Sequence, residues 1–174
     1  MMERSIGRIV IGAVVAFLLQ VAVAPSIAVA GAQPNFALAY VLVVAIVRPD
    51  EAGNVMPFVL GLACDLAGNG PVGAEAFLFT LVSFAASRAF MVLDNDTLFM
   101  PLAIFSVAAF AAELLYGGLL MTLGLQVSLA DAFIYRVLPC TLYTIVVGLI
   151  LYPILMKLLR AGQTVRGAGI PVIR

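Results

Sequence analysis

The sequence predicts an all-α membrane bundle of about six transmembrane helices with both termini cytoplasmic, and three observations predict it. The first is composition: 64% of the 174 residues are hydrophobic and 10% are charged, where soluble domains are about 45–50% apolar and about 25% charged. With a mean hydropathy of +1.19 the chain has too few polar groups to cover a globule in water, so its solvent is lipid. The second is length. A span needs roughly 20 apolar residues to cross about 30 Å of hydrocarbon, so 174 residues hold about six spans, joined by short connections, in one membrane domain covering 1–174. The third is the placement of the cations. Loops on the cytoplasmic side carry the excess Lys and Arg. Six spans with the N-terminus inside put Arg4, Arg8, Arg48, Arg88, Lys157, Arg160, Arg166 and Arg174 there and leave only Arg136 outside; five spans would put the basic tail on the wrong side.

The first apolar run, about 6–30, follows Arg4 and Arg8 and carries Gln20 and Pro25. It imitates a secretory signal, and Ala28-Val29-Ala30 resembles a cleavage site. Its apolar stretch is as long as the longest signal regions and more apolar segments follow, so it reads as a retained membrane helix. The turn Gly31-Ala32-Gln33-Pro34-Asn35 leads to a second run, about 36–47, which ends at Arg48-Pro49-Asp50-Glu51. A third, about 55–66, stops at Gly68-Asn69-Gly70-Pro71. The second and third runs suit re-entrant or partly spanning helices better than lipid-facing spans, and such broken backbone survives only where protein or a watery cavity satisfies its polar groups. The fourth run is about 72–93, the fifth about 98–123 and the sixth about 137–159, with a cytoplasmic tail over 160–174. Small residues recur at four-residue spacing, as in Gly12 and Ala16, a pattern that lets helices approach closely but that also arises by chance in so Ala-rich a chain.

Ionisable groups at membrane depth cost about 2.5–3.5 kcal/mol each on insertion scales, so Asp65, Glu75 and Glu113 each require a reason. Asp65 ends the third helix, Glu75 opens the fourth and Glu113 lies within the fifth. Alternating helix directions put all three in the outer half, at the level of Asp131 and Arg136. The expectation is one polar cluster with Arg136 as its only nearby cation, serving either as a binding or docking site or as helix-end caps. Caps suit Glu75 and Asp131 better; for Asp65 and Glu113 both readings stay open.

Other signals exclude more than they suggest. The net charge of zero gives no basis for nucleic-acid binding, and with no His and only Cys64 and Cys140 there is no metal-ligand spacing or disulfide framework. Both Cys read as buried small hydrophobes. Gly68-Asn69-Gly70-Pro71-Val72-Gly73 fits G-x-G-x-x-G, but a dinucleotide site needs that motif between a strand and a helix. Between membrane helices the glycines serve a tight turn, and Gly73 admits a close approach where the turn meets the fourth helix. Asp94-Asn95-Asp96-Thr97 reads as a helix N-cap rather than a metal site, and its sequon falls on the cytoplasmic side. No catalytic constellation, cofactor motif or metal set can be named.

The stretch Gly61-Leu62-Ala63-Cys64-Asp65-Leu66, then Gly68-Asn69-Gly70-Pro71-Val72-Gly73, resembles the signature of the MreD family of rod shape-determining proteins: a Gly-Leu-x-x-Asp-Leu helix end, a Gly/Pro turn, a Gly and an apolar helix. Upstream, Gln20, Pro25 and Gln33-Pro34-Asn35 before an aliphatic run are similar to the family too, although Asn35 stands where it usually has Asp. The likeness covers about residues 15–95, and beyond them only hydropathy matches. It implies a non-enzymatic role in the membrane of the bacterial cell-wall elongation complex, with MreC, the actin-like MreB, the RodA glycosyltransferase and a class B transpeptidase as partners. It also marks Gly61, Asp65, Gly70, Pro71 and Gly73, with Glu113 and Arg136 from the polar cluster, as residues for partner contact or structure. The family's fold resembles the substrate-binding S component of energy-coupling-factor vitamin transporters, which supplies the alternative: a subunit of a small-molecule importer with its ligand near the outer face. The absence of Trp weighs against an aromatic-lined vitamin pocket.

Overall fold

The computed structural model describes residues 2–29, 31–49, 53–93, 99–124 and 133–160. Among them it contains six α-helices and no strand: α1 (Met2–Ala22), α2 (Phe36–Val47), α3 (Val55–Ala67), α4 (Ala74–Val92), α5 (Phe99–Thr122) and α6 (Leu138–Arg160). Three of these, α4, α5 and α6 up to Leu158, are long and apolar enough to cross a membrane. The chain is an all-α membrane bundle.

The centre of the bundle is its shortest helix. The sequence of α2, Phe-Ala-Leu-Ala-Tyr-Val-Leu-Val-Val-Ala-Ile-Val, is apolar on every side, and a helix of that kind is stable only when surrounded. Each residue from Ala37 to Val47 is buried, and α2 touches all five other helices. At 1.5 Å per residue its 12 residues extend about 18 Å, well short of a bilayer core. The helix meets protein where a span would meet lipid. The one polar side chain of its interior is satisfied: Tyr40 Oη donates to the Ile9 carbonyl at 2.7 Å. Gly12 makes room for that ring, since a Cβ there would lie 2.5 Å from Tyr40 Oη.

Lipid-facing surface lies on the outer helices. On α1 the residues Ile6, Val10, Val14, Leu18 and Val21 are all exposed, one apolar stripe at helical spacing.

Two helix ends differ from expectation. The first helix was expected over about 6–30, but α1 stops at Ala22 and a 3-10 turn follows over Ala24–Ile27. Pro25 is the reason: its ring lacks an N–H and clashes with the carbonyl four residues back, so the α-helical ladder cannot continue. The fourth was expected from about 72 but α4 starts at Ala74, because Gly73 before it has φ +95°, a left-handed backbone no α-helix contains. Of the other sequence readings, Asp94-Asn95-Asp96-Thr97, Asp131 and the tail beyond Arg160 lie outside the described residues.

Candidate functional site

A helix that starts inside a membrane exposes N–H groups that water cannot reach, and each left unpaired costs several kcal/mol. Two helices, α2, too short to span, and α4, long enough, start at the same end of the bundle, and side chains pair the first N–H groups of both.

At α2, Gln20 from α1 reaches across and its Oε1 accepts from Phe36 N at 2.7 Å and Ala37 N at 3.5 Å. Asn35 Oδ1 accepts from Leu38 N at 2.9 Å. Ala39 N donates to the Asn35 carbonyl at 2.9 Å, and Asn35 N itself donates to Thr144 Oγ1 of α6 at 3.1 Å. Every N–H of the first turn has a partner. Asn and Asp cap helices about equally well, so Asn35 preserves the function of the Asp that the MreD resemblance leads one to expect.

At α4 the cap is Asp65. Its Oδ2 accepts from Gly73 N at 2.9 Å and Ala76 N at 3.1 Å, and its Oδ1 accepts from Glu75 N at 3.0 Å. The buried carboxylate, 4% exposed, is neutralised by three aligned donors and by the positive end of the helix dipole. The residues around it are those the geometry needs. Gly61 lies one turn before Asp65 on the same face of α3, and a Cβ there would come within 2.6 Å of Ala76 Cα and 2.7 Å of Ala76 N. Only a hydrogen in that position lets α3 approach close enough for Asp65 to reach. Gly70 lies against the Tyr116 hydroxyl, which a Cβ would hit. Pro71 and Gly73 shape the turn, the Pro71 carbonyl accepting from Ala74 N at 3.2 Å. Nothing lies within 4 Å of a Cβ at Gly73, so its φ demands glycine there, not the close approach expected from the sequence.

Between the two helix starts is a small polar cavity of about 80 Å³, lined among others by Gln33, Glu75, Glu113, Tyr116, Arg136 and Cys140. Arg136 comes from a π-helical turn, Phe133–Val137, that leads into α6, and its guanidinium lies 5.2 Å from the Tyr116 ring centre. Glu113 is 9% exposed, and among the described residues Arg136 is the one cation that lines this cavity with Glu75 and Glu113. The structure thus brings together Glu75, Glu113 and Arg136 around one cavity. It turns Asp65 aside onto the α4 backbone, giving it the capping role that the sequence offered more readily to Glu75. Cys64 and Cys140 are both buried. Among the described residues no group of three or more His, Cys, Asp or Glu side chains is placed to hold a metal ion.

Sequence reasoning gave Gln20 no physical role and did not reach Thr144. Gln20 had a signal, as an amide inside an apolar membrane run. Thr144 had none, because a Thr is common in such a helix and only its partner distinguishes it.

A family model described as rod shape-determining protein MreD matches residues 3–161. No curated protein and no solved structure matches the chain.

Proposed function

Because this chain belongs to the MreD family of rod shape-determining proteins, we propose that it is a non-enzymatic, multi-pass scaffold of the bacterial cytoplasmic membrane, acting in the cell-wall elongation complex through helix faces and outer loops. The observation that carries this reading is the size of the cavity. An importer subunit with its ligand near the outer face would need a pocket of about 300–1,000 Å³ there. The polar cavity at that end holds about 80 Å³, room for a few waters, and the groove of about 590 Å³ between α1 and α6 has apolar walls. Two of the polar side chains around the polar cavity, Gln20 and Asn35, support the backbone, and so does the Asp65 carboxylate at the start of α4: each is bonded to main-chain N–H groups. In this reading the signature residues hold two broken helices in place, and the outer surfaces they define meet the partners: an MreC-like protein, a RodA-like glycosyltransferase and a class B transpeptidase. Both termini lie in the cytoplasm, with the polar end of the bundle towards the outside.

The test is purification with two readouts. The detergent-solubilised protein co-expressed with an MreC-like partner should carry it through two affinity steps, and mass spectrometry after denaturation should find no vitamin in stoichiometric amount. A vitamin released one-to-one would sink the scaffold reading in favour of the importer. Orientation is checked by single-cysteine labelling from outside, with Cys64 and Cys140 replaced: a reporter near residue 126 should react and one near residue 163 should not.

A further inference from the structure

A larger cavity opens at the other end of the bundle. Between α1 and α6 runs an open groove of about 590 Å³, walled by Ile11, Val15 and Leu19 of α1 and by Leu151 and Leu155 of α6, over a floor that includes Tyr40 of α2. Its lining is apolar along its length and changes character at one end only, where Arg8 and Lys157 stand at the mouth. Arg8 Nη1 donates to the Leu158 carbonyl at 3.5 Å, so the guanidinium spans the gap between the helices beside Lys157. One long, weak bond uses little of a fork of five N–H donors. Among the described residues no carboxylate lines the groove. Asp65, Glu75 and Glu113 belong to the opposite end, Gln20 being about 18 Å along α1 from Arg8.

We infer that this groove holds one anionic phospholipid, an acyl chain lying between α1 and α6 and the phosphate between Arg8 and Lys157. Charge complementarity decides the headgroup: two cations at the end of an apolar channel, with no acid beside them among the described residues, bind an anionic lipid in preference to a zwitterionic one, and basic pockets between membrane helices at the cytoplasmic face recognise such headgroups. The lining stretch of α1, Arg8 to Leu19, is about 17 Å long, a length that an acyl chain laid along it can fill. The site is independent of the scaffold reading, since it uses none of the capping side chains and only the apolar Leu19 and Phe36 carry it towards the polar end.

The experiment is native mass spectrometry of the full chain after extraction from vesicles of equal parts phosphatidylglycerol and phosphatidylcholine. The wild-type protein should leave with one phosphatidylglycerol retained over phosphatidylcholine. Replacing both cations, Arg8→Gln with Lys157→Gln, should lower that preference by about fivefold per cation. Val15→Trp, which keeps both cations and fills the groove from an exposed position, should lower retention of the lipid itself. Arg88→Gln, which removes an exposed cation resting on Phe84 of α4, should change neither. Equal retention of the two lipids by the wild-type protein would mean nothing more than an annular layer and would overturn the proposal. So would a photoreactive residue at position 154 that captures polypeptide and no lipid in intact membranes. Should the double variant fail to elute as a folded species, the wild-type preference and Val15→Trp still decide the matter.

Discussion

The two ends of this bundle spend their polar groups in opposite ways. Where α2 and α4 begin, the side chains of Gln20, Asn35 and Asp65 all turn inward to backbone N–H groups, and the space left over is about 80 Å³. Where α1 begins and α6 ends, Arg8 and Lys157 stand at the rim of an apolar groove of about 590 Å³. Both follow from one constraint. A helix start packed among other helices must have its N–H groups paired by protein, and pairing two such starts at the same end packs that end tightly. Long helices such as α1 and α6 need no internal caps, so nothing forces them together along their length. The difference separates residues that hold the fold from residues free to meet something else, and it is open to test by substitution.

The largest effect is expected at Asp65. Asp65→Leu removes the acceptor of three buried N–H groups, and breaking a buried charged partnership from one side costs about 3–5 kcal/mol. At about 2–4 °C per kcal/mol, the unfolding midpoint in detergent, followed by scanning fluorimetry, should fall by about 6–20 °C, with little folded protein recovered. Asp65→Asn keeps one accepting oxygen without the charge and should fall between. A midpoint for Asp65→Leu within a degree of wild type would mean that the α4 start has another cap and that the polar end is not the rigid one.

Next comes Gly61→Ala, where the added methyl meets the Ala76 and Glu75 backbone at 2.6–2.7 Å. Main chain cannot swing aside as a side chain can, so α3 and α4 must separate, at an overpacking cost of about 2–3 kcal/mol. That separation also lengthens the Asp65 bonds, so Gly61→Ala combined with Asp65→Asn should cost less than the sum of the two. Strict additivity in that cycle would show that the close approach and the cap are unconnected.

Much of this was legible in the sequence, and the failures have physical causes. The runs 36–47 and 55–66 are bounded by charge, proline and glycine, so α2 and α3 could be located and their shortness noticed. That α2 would touch every other helix followed from no pattern along the chain, because an all-apolar run reads alike whether it faces lipid or protein. The end of α1 was misplaced although Pro25 was in view: the apolar run continues past it, and hydropathy carries no information about the backbone N–H that proline lacks. Of the candidate site, the signature glycines and Asp65 were visible as residues and their order as a motif. The division of labour between Asp65 and Glu75 was not, because it depends on which carboxylate points back across the turn. The groove was invisible for another reason: its walls are ordinary apolar helix faces, and a gap between them leaves no mark on either sequence.

The smallest effects make the sharpest use of the comparison, because they hold sterics constant. Gly73, at the polar end, and Gly7, near the start of α1, share one property: a methyl group added to either meets nothing within 4 Å. If packing alone mattered, Ala would be equally harmless at both. They differ in backbone. Gly73 sits at φ +95°, where an L-residue is strained by about 1–2 kcal/mol, and its N–H is held by Asp65, so it cannot relax to another conformation without loosening that cap. Gly7 lies within the α1 helix, where Ala is favoured over Gly by up to about 1 kcal/mol. Gly73→Ala should therefore lower the unfolding midpoint by a few degrees, and Gly7→Ala should leave it unchanged or raise it slightly. Opposite signs from two substitutions with equal room would locate the constraint in the turn between α3 and α4. A neutral Gly73→Ala would mean that the turn gives way, and the Asp65 cap would then have to be explained without a rigid loop behind it.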